Sequence, residues 1–177
     1  MHEIIQLIVD TVASILGGVL LLRFWMQAVR VRPPESVSHF IFTLSDWIVR
    51  PLRRIVPGVG GYDWASLIAA LLVVALASAV FLLLPEVTGA MVAKLALYRF
   101  LTWILYGFMA LLIIEAVFSW INPHAPLAPF VRALNEPQLR HLRRVVPLVG
   151  GLDLSMLVAL VLIQIAQMLL RMLFGYQ

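Results

Sequence analysis

Between Trp64 and Leu84 the chain reads WASLIAALLVVALASAVFLLL, a segment without one charged residue. At ~1.5 Å rise per residue, a helix of that length crosses a ~30 Å hydrocarbon layer. Three further blocks qualify. One covers about 4–29 and is interrupted by Asp10, Arg23 and Gln27. One covers about 95–121 with Arg99 and Glu115, and one covers 154–174 with Gln164, Gln167 and Arg171. The chain is 63% hydrophobic and 12% charged, with mean hydropathy +1.01. A soluble domain carries about a quarter charged residues, so the composition excludes that class. Only His2 and Glu3 precede the first block, which is longer than the apolar core of a cleavable signal, so it is expected to persist as a span. The absence of Cys excludes disulfides and thiolate metal sites.

The blocks belong to a duplication. RRIVPGVGGYD at Arg53–Asp63 returns as RRVVPLVGGLD at Arg143–Asp153, at an offset of ninety residues. The same offset places Pro33 on Pro123, Phe40 on Phe130, Leu44 on Leu134 and Arg50 on Arg140. The reading is an all-α membrane protein of four transmembrane helices, built as a tandem parallel repeat of helix, amphipathic connector and helix. The first unit is 1–87, with spans 4–29 and 64–84 and connector 30–63. The second is 91–177, with spans 95–121 and 154–174 and connector 122–153. Nine of the 13 basic residues lie in the connectors: Arg30, Arg32, Arg50, Arg53, Arg54, Arg132, Arg140, Arg143 and Arg144. The positive-inside tendency then predicts cytoplasmic connectors and both termini outside. Nothing resembles a soluble basic domain that binds nucleic acid.

Within the connectors the apolar spacing is helical: Val37, Phe40, Ile41, Leu44 and Ile48, echoed by Leu127, Phe130, Val131 and Leu134. Ser45-Asp46 and Asn135-Glu136 read as the starts of second, shorter helices. On these, Arg50, Arg53 and Arg54 share one face, as do Arg140, Arg143 and Arg144, opposite Leu52, Ile55, Leu142 and Val145. Such a helix lies flat at the headgroups with its arginines toward phosphate. Pro57 and Pro147 then stop it, and Gly60-Gly61 and Gly150-Gly151 turn the chain. Asp63 and Asp153 cap the following spans. The six arginines form a candidate surface for anionic lipid or a protein partner. The segment VGGYD has a faint likeness to a potassium filter, but the second copy reads VGGLD and three arginines adjoin each glycine pair.

A charge inside a span is costly and usually finds a partner. Arg23 and Glu115 fall within two residues of the same depth in equivalent helices, so the expectation is an Arg23–Glu115 pair. The alternative is that Arg23 snorkels to the interface. Gly17-Gly18, Gly107 and the Ala65/Ala69 and Ala75/Ala79 pairs offer close helix packing, internally or between copies. His2, His39, His124 and His141 are scattered, and nothing in the sequence argues for catalysis, a metal or a cofactor.

LLRFWMQAVRVRPPESVSHFIFTLSDWIVRPLRRIVPGVGGYDWASL resembles the first repeat of YggT family membrane proteins. EAVFSWINPHAPLAPFVRALNEPQLRHLRRVVPLVGGLDLS resembles the second. The chain departs from the family pattern at Trp47, His141 and Met156, where proline is common. The resemblance implies a non-enzymatic scaffold or assembly factor of the cell inner membrane. Bacterial relatives are linked to osmotic-stress tolerance and to cell division or envelope organisation. Chloroplast relatives are linked to nucleoid distribution and to haem assembly in a cytochrome complex. The competing expectation is a small transporter or channel in osmotic ion balance, with a polar path through Asp10, Arg23 and Glu115.

Overall fold

The computed structural model describes residues 2–83, 87–146 and 154–176, and its regular elements there are all helical. They are α1 (His2–Val29), α2 (Glu35–Ile55), α3 (Trp64–Ala79, continued by a 3-10 turn Val80–Leu83), α4 (Gly89–Ile121), α5 (Ala128–Leu142) and α6 (Ser155–Phe174). Four stretches are long and apolar enough to cross a membrane: Ile4–Val29, Trp64–Leu82, Gly89–Ile121 and Ser155–Phe174. The all-α, four-span class is the one the sequence indicates.

Side-chain contacts fix the helix directions. At one end Asp10 of α1 accepts from Arg99 of α4, and Arg99 also lies 3.5 Å from Ser78 Oγ near the end of α3. There Tyr98 packs on Phe174 and Tyr176 at the end of α6, with ring centroids 5.6 and 4.4 Å apart. The starts of α1 and α4 therefore sit beside the ends of α3 and α6. At the opposite end Trp25 Nε1 of α1 donates to Leu134 O of α5 at 3.0 Å, and Arg23 reaches α2. Both connector helices thus lie at one end of a bundle whose first and third spans run in the same direction.

Small residues set the spacing. Ala65, Ala69 and Ala70 of α3 are buried against Leu20 of α1 and Val49 of α2, letting the backbones approach closely. Gly17 admits the Trp103 ring of α4, which a Cβ there would overlap. Gly18 and Gly107 face open space in an apolar cavity of about 360 Å³ between α1, α3 and α4.

The connectors differ from expectation. Each is one continuous helix, with Pro51 or Pro137 inside it, and no new helix begins at Ser45 or Asn135. The reason is burial. Ser45 falls on the stripe Ile41, Ser45, Val49, one turn apart each, and all three are buried. Its hydroxyl donates to Ile41 O at 2.6 Å, so it is satisfied within the helix. Asn135 is fully buried and gives its amide to Leu111 O at 2.9 Å. The apolar faces of these helices are applied to the spans, with Ile48 and Leu52 against the Leu20 cluster and Leu142 against the Leu112 cluster.

Candidate functional site

In each unit the first span grips its connector through a knot of charge. In the first unit Arg23, 5% exposed, projects from α1 into α2. Its guanidinium donates to Ser45 Oγ at 2.6 Å and to Asp46 Oδ1 at 2.7 Å. Its Nε lies 3.4 Å from Asp63 Oδ2, and its plane lies 4.8 Å from the Phe42 ring. Asp63, 2% exposed, caps α3 by accepting from Ser66 N at 3.3 Å and Ser66 Oγ at 2.7 Å, and its two oxygens also accept from Nε and Nη2 of Arg53. Arg50 closes the network on Asp46 at 2.7 Å. Span, connector and next span meet on two carboxylates.

In the second unit the sign on the span is reversed. Glu115 of α4 accepts from Asn135 Nδ2 at 2.7 Å, and Arg143 lies 3.4 Å from it. Arg143 also donates to Glu136 at 2.9 Å. Asn135, Glu136 and Arg143 hold the places of Ser45, Asp46 and Arg53, each ninety residues on. The expected Arg23–Glu115 pair is therefore not formed. Each charge turns to the connector of its own unit, whose polar stripe comes within hydrogen-bond distance. Equal depth in equivalent helices did not bring the two together.

Burial alone would raise the Asp46 carboxyl, but the hydrogen bond and charge of Arg23, with Arg50, hold it below the usual carboxylate range. Burial likewise opposes ionisation of Asp63, and Arg53 with the Ser66 donors overcomes it, so this carboxyl is lowered too.

The six connector arginines separate into two sets. Arg50, Arg53 and Arg143 are engaged in the knots. Arg54, Arg140 and Arg144 are exposed and have no carboxylate in ion-pair reach among the described residues. Gly60 and Gly61 turn the chain at φ 70° and 84°, the left-handed region glycine favours. That turn is held to α1 by Gln27 Nε2 donating to Gly61 O at 3.2 Å and by Phe24 stacked 6.3 Å from Tyr62. Gly150, Gly151 and Asp153 lie outside the described residues.

Sequence reasoning missed the Asp10–Arg99 pair. Both residues are visible as polar interruptions, and Asp10 corresponds to Phe100, one residue from Arg99, so the repeat offers this pairing by depth as much as the Arg23–Glu115 one. The two ionic levels are 13 residues apart on α1 (Asp10 to Arg23) and 16 apart on α4 (Arg99 to Glu115). These separations correspond to ~20 and ~24 Å of helix.

The class so defined is a four-span helical membrane protein whose two units each clasp a basic connector helix at the same end. The CCB3/YggT family model matches residues 1–84 and again 95–174, and the chain belongs to that family. It is 34% identical over 168 residues to an uncharacterized protein of Pseudomonas aeruginosa, covering 92% of this chain and 85% of that one. It is 30% identical over 173 residues to an uncharacterized protein of Vibrio alginolyticus, covering 95% and 94%. To YggT of Escherichia coli K12, also described as uncharacterized, it is 28% identical over 168 residues, covering 91% and 86%. No solved structure matches significantly.

Proposed function

We propose that this chain is a non-enzymatic scaffold or assembly factor of the bacterial inner membrane. Its connector helices face the cytoplasm, its termini face outside, and its unengaged arginines hold anionic lipid and a protein partner. The observation that carries the reading is the division of the arginines. Arg53 and Arg143 tie the connectors to Asp63 and Glu115, Arg50 pairs within α2 on Asp46, and Arg54, Arg140 and Arg144 are left exposed on the helices so fixed. A rigid basic platform at one face suits recognition, since each unpaired arginine near an anionic surface contributes about 1 kcal/mol. The transport reading is less well supported. Asp10, Arg23 and Glu115 are each engaged by a partner, and the residues between the ionic levels on α1 that face inward, Ala13, Val19 and Leu20, are apolar.

The test combines complementation with flux. Arg54→Gln/Arg140→Gln/Arg144→Gln is expected to reach the membrane at normal level and fail to restore envelope function in cells lacking the protein. Purified protein in liposomes is expected to pass ions no faster than empty vesicles. Full complementation by the triple variant would remove the platform reading. A flux abolished by Arg23→Gln/Glu115→Gln would replace it with transport.

A further inference from the structure

We propose that the groove between α1 and α3, roofed by α2, holds one acyl chain of an anionic phospholipid whose phosphate is met by Arg54. The proposal rests on the lipid-binding reading above and narrows it to a single site in the first unit.

The groove is lined by Val12 and Leu16 of α1, Leu72 and Leu76 of α3, and Trp47 and Ile55 of α2, with a volume of about 710 Å³. That size lies in the ~300–1,000 Å³ range of ligand cavities. From Leu16 to Ile8 it follows α1 for eight residues, ~12 Å along the span. Its lining is apolar throughout, as a hydrocarbon chain requires. Because α1 and α3 are spans, the groove opens to the lipid interior.

The rim supplies the charge. Arg54 follows Trp47 by two helical turns and so shares its side of α2, next to Ile55. It is exposed and unpaired among the described residues, whereas Arg50 and Arg53 are committed to Asp46 and Asp63. Trp47 is 68% exposed, with its Nε1 on Leu44 O at 2.8 Å, an amphipathic ring of the kind that lies at headgroup level. An apolar slot with an uncommitted arginine adjoining its lining residue Ile55 matches a chain joined to a phosphate. The second unit lacks this shape in its sequence. Ala13, Leu16 and Ala77 are replaced by Trp103, Tyr106 and Gln167, so Arg144, the counterpart of Arg54, has no equivalent small-residue slot beside it.

The test is native mass spectrometry of the full chain in mild detergent, titrated with phosphatidylglycerol and with phosphatidylcholine of the same chains. Wild type is expected to bind one phosphatidylglycerol in preference. Arg54→Gln should weaken that binding about fivefold and that of phosphatidylcholine, whose choline neutralises the phosphate, by less. Leu72→Trp, at a side chain 45% exposed, should weaken both lipids, with Leu76→Trp as a second groove-filling variant at 71% exposure. Lys94→Gln, exposed at the opposite end of the bundle, should change neither. Unchanged phosphatidylglycerol binding in both tryptophan variants, with a loss in Arg54→Gln, would overturn the groove and leave a surface headgroup contact. Unchanged binding in Arg54→Gln/Arg140→Gln/Arg144→Gln would remove the lipid-binding reading itself. Displacement of the lipid by inorganic phosphate alone would reduce the site to an anion contact and overturn the chain.

Discussion

One carboxylate holds the first unit together. Asp63 caps α3 through Ser66, accepts from Nε and Nη2 of Arg53 and stands 3.4 Å from Arg23 Nε. Removing one member of a buried ionic group leaves the others uncompensated, at a cost of about 3–5 kcal/mol. Asp63→Asn is therefore expected to lower the thermal midpoint in detergent markedly. Arg50→Gln, at a side chain 77% exposed, should cost at most about 1 kcal/mol. A Tm equal for the two variants would contradict the knot. The pH dependence has a definite sign. Asp46 and Asp63 are lowered in the folded state from an unfolded value of about 3.9, so their stabilisation is complete above that pH and is lost as pH falls through the folded values. Thermal stability should decline on acidification below about pH 4, and less steeply in Asp63→Asn.

At the scale of the helix, the glycines of α1 are not equivalent. A Cβ at Gly17 would overlap the Trp103 ring, while one at Gly18 meets nothing within 4 Å. Gly17→Ala should destabilise by about 1–3 kcal/mol through overpacking of α1 on α4. Gly18→Ala should be neutral or slightly stabilising, because it enters the cavity beside Leu21 and Gly107 without contact. Chemical or thermal unfolding of the two variants distinguishes them, and equal losses would contradict the α1–α4 geometry. The connectors show why local signals misled. Ser45 and Asn135 have the chemistry of helix caps, but each sits on the buried stripe of a longer helix. A small polar residue among Ile41 and Val49 at one-turn spacing is the sequence sign of a buried partner, and Arg23 is that partner.

For the whole molecule, two ionic levels bound the apolar middle of the bundle. Pairs at Asp10–Arg99 and at the connector knots are separated by ~20–24 Å of mostly apolar helix, a little less than a ~30 Å hydrocarbon core. Swapping the charges in Asp10→Arg/Arg99→Asp should recover stability lost in either single variant, as the distance between α1 and α4 requires, and a double variant no better than the singles would break that contact. The chain has no cysteine, so single reporters are clean. Cysteines at Gln6 and Tyr176 are expected to react with a membrane-impermeant maleimide from outside the cell, and those at Pro57 and His124 only after permeabilisation. The opposite pattern would invert the proposed orientation.

Hydropathy, spacing and the ninety-residue duplication determine the four spans, the two basic connectors and their alignment, because the cost of burying backbone and charge in hydrocarbon acts on each segment separately. The Gly60-Gly61 turn and the Asp63 cap are equally local and equally visible. Which charge meets which is not local. Arg23 and Glu115 could be matched by depth, yet Arg23 lies within reach of Asp46, and Glu115 lies within reach of Asn135. The rotation of each helix about its axis, set by close packing at Gly17 and along the alanines of α3, made that choice. The same packing left Arg54 uncommitted beside an apolar groove, a juxtaposition that exists only once α1, α2 and α3 are assembled.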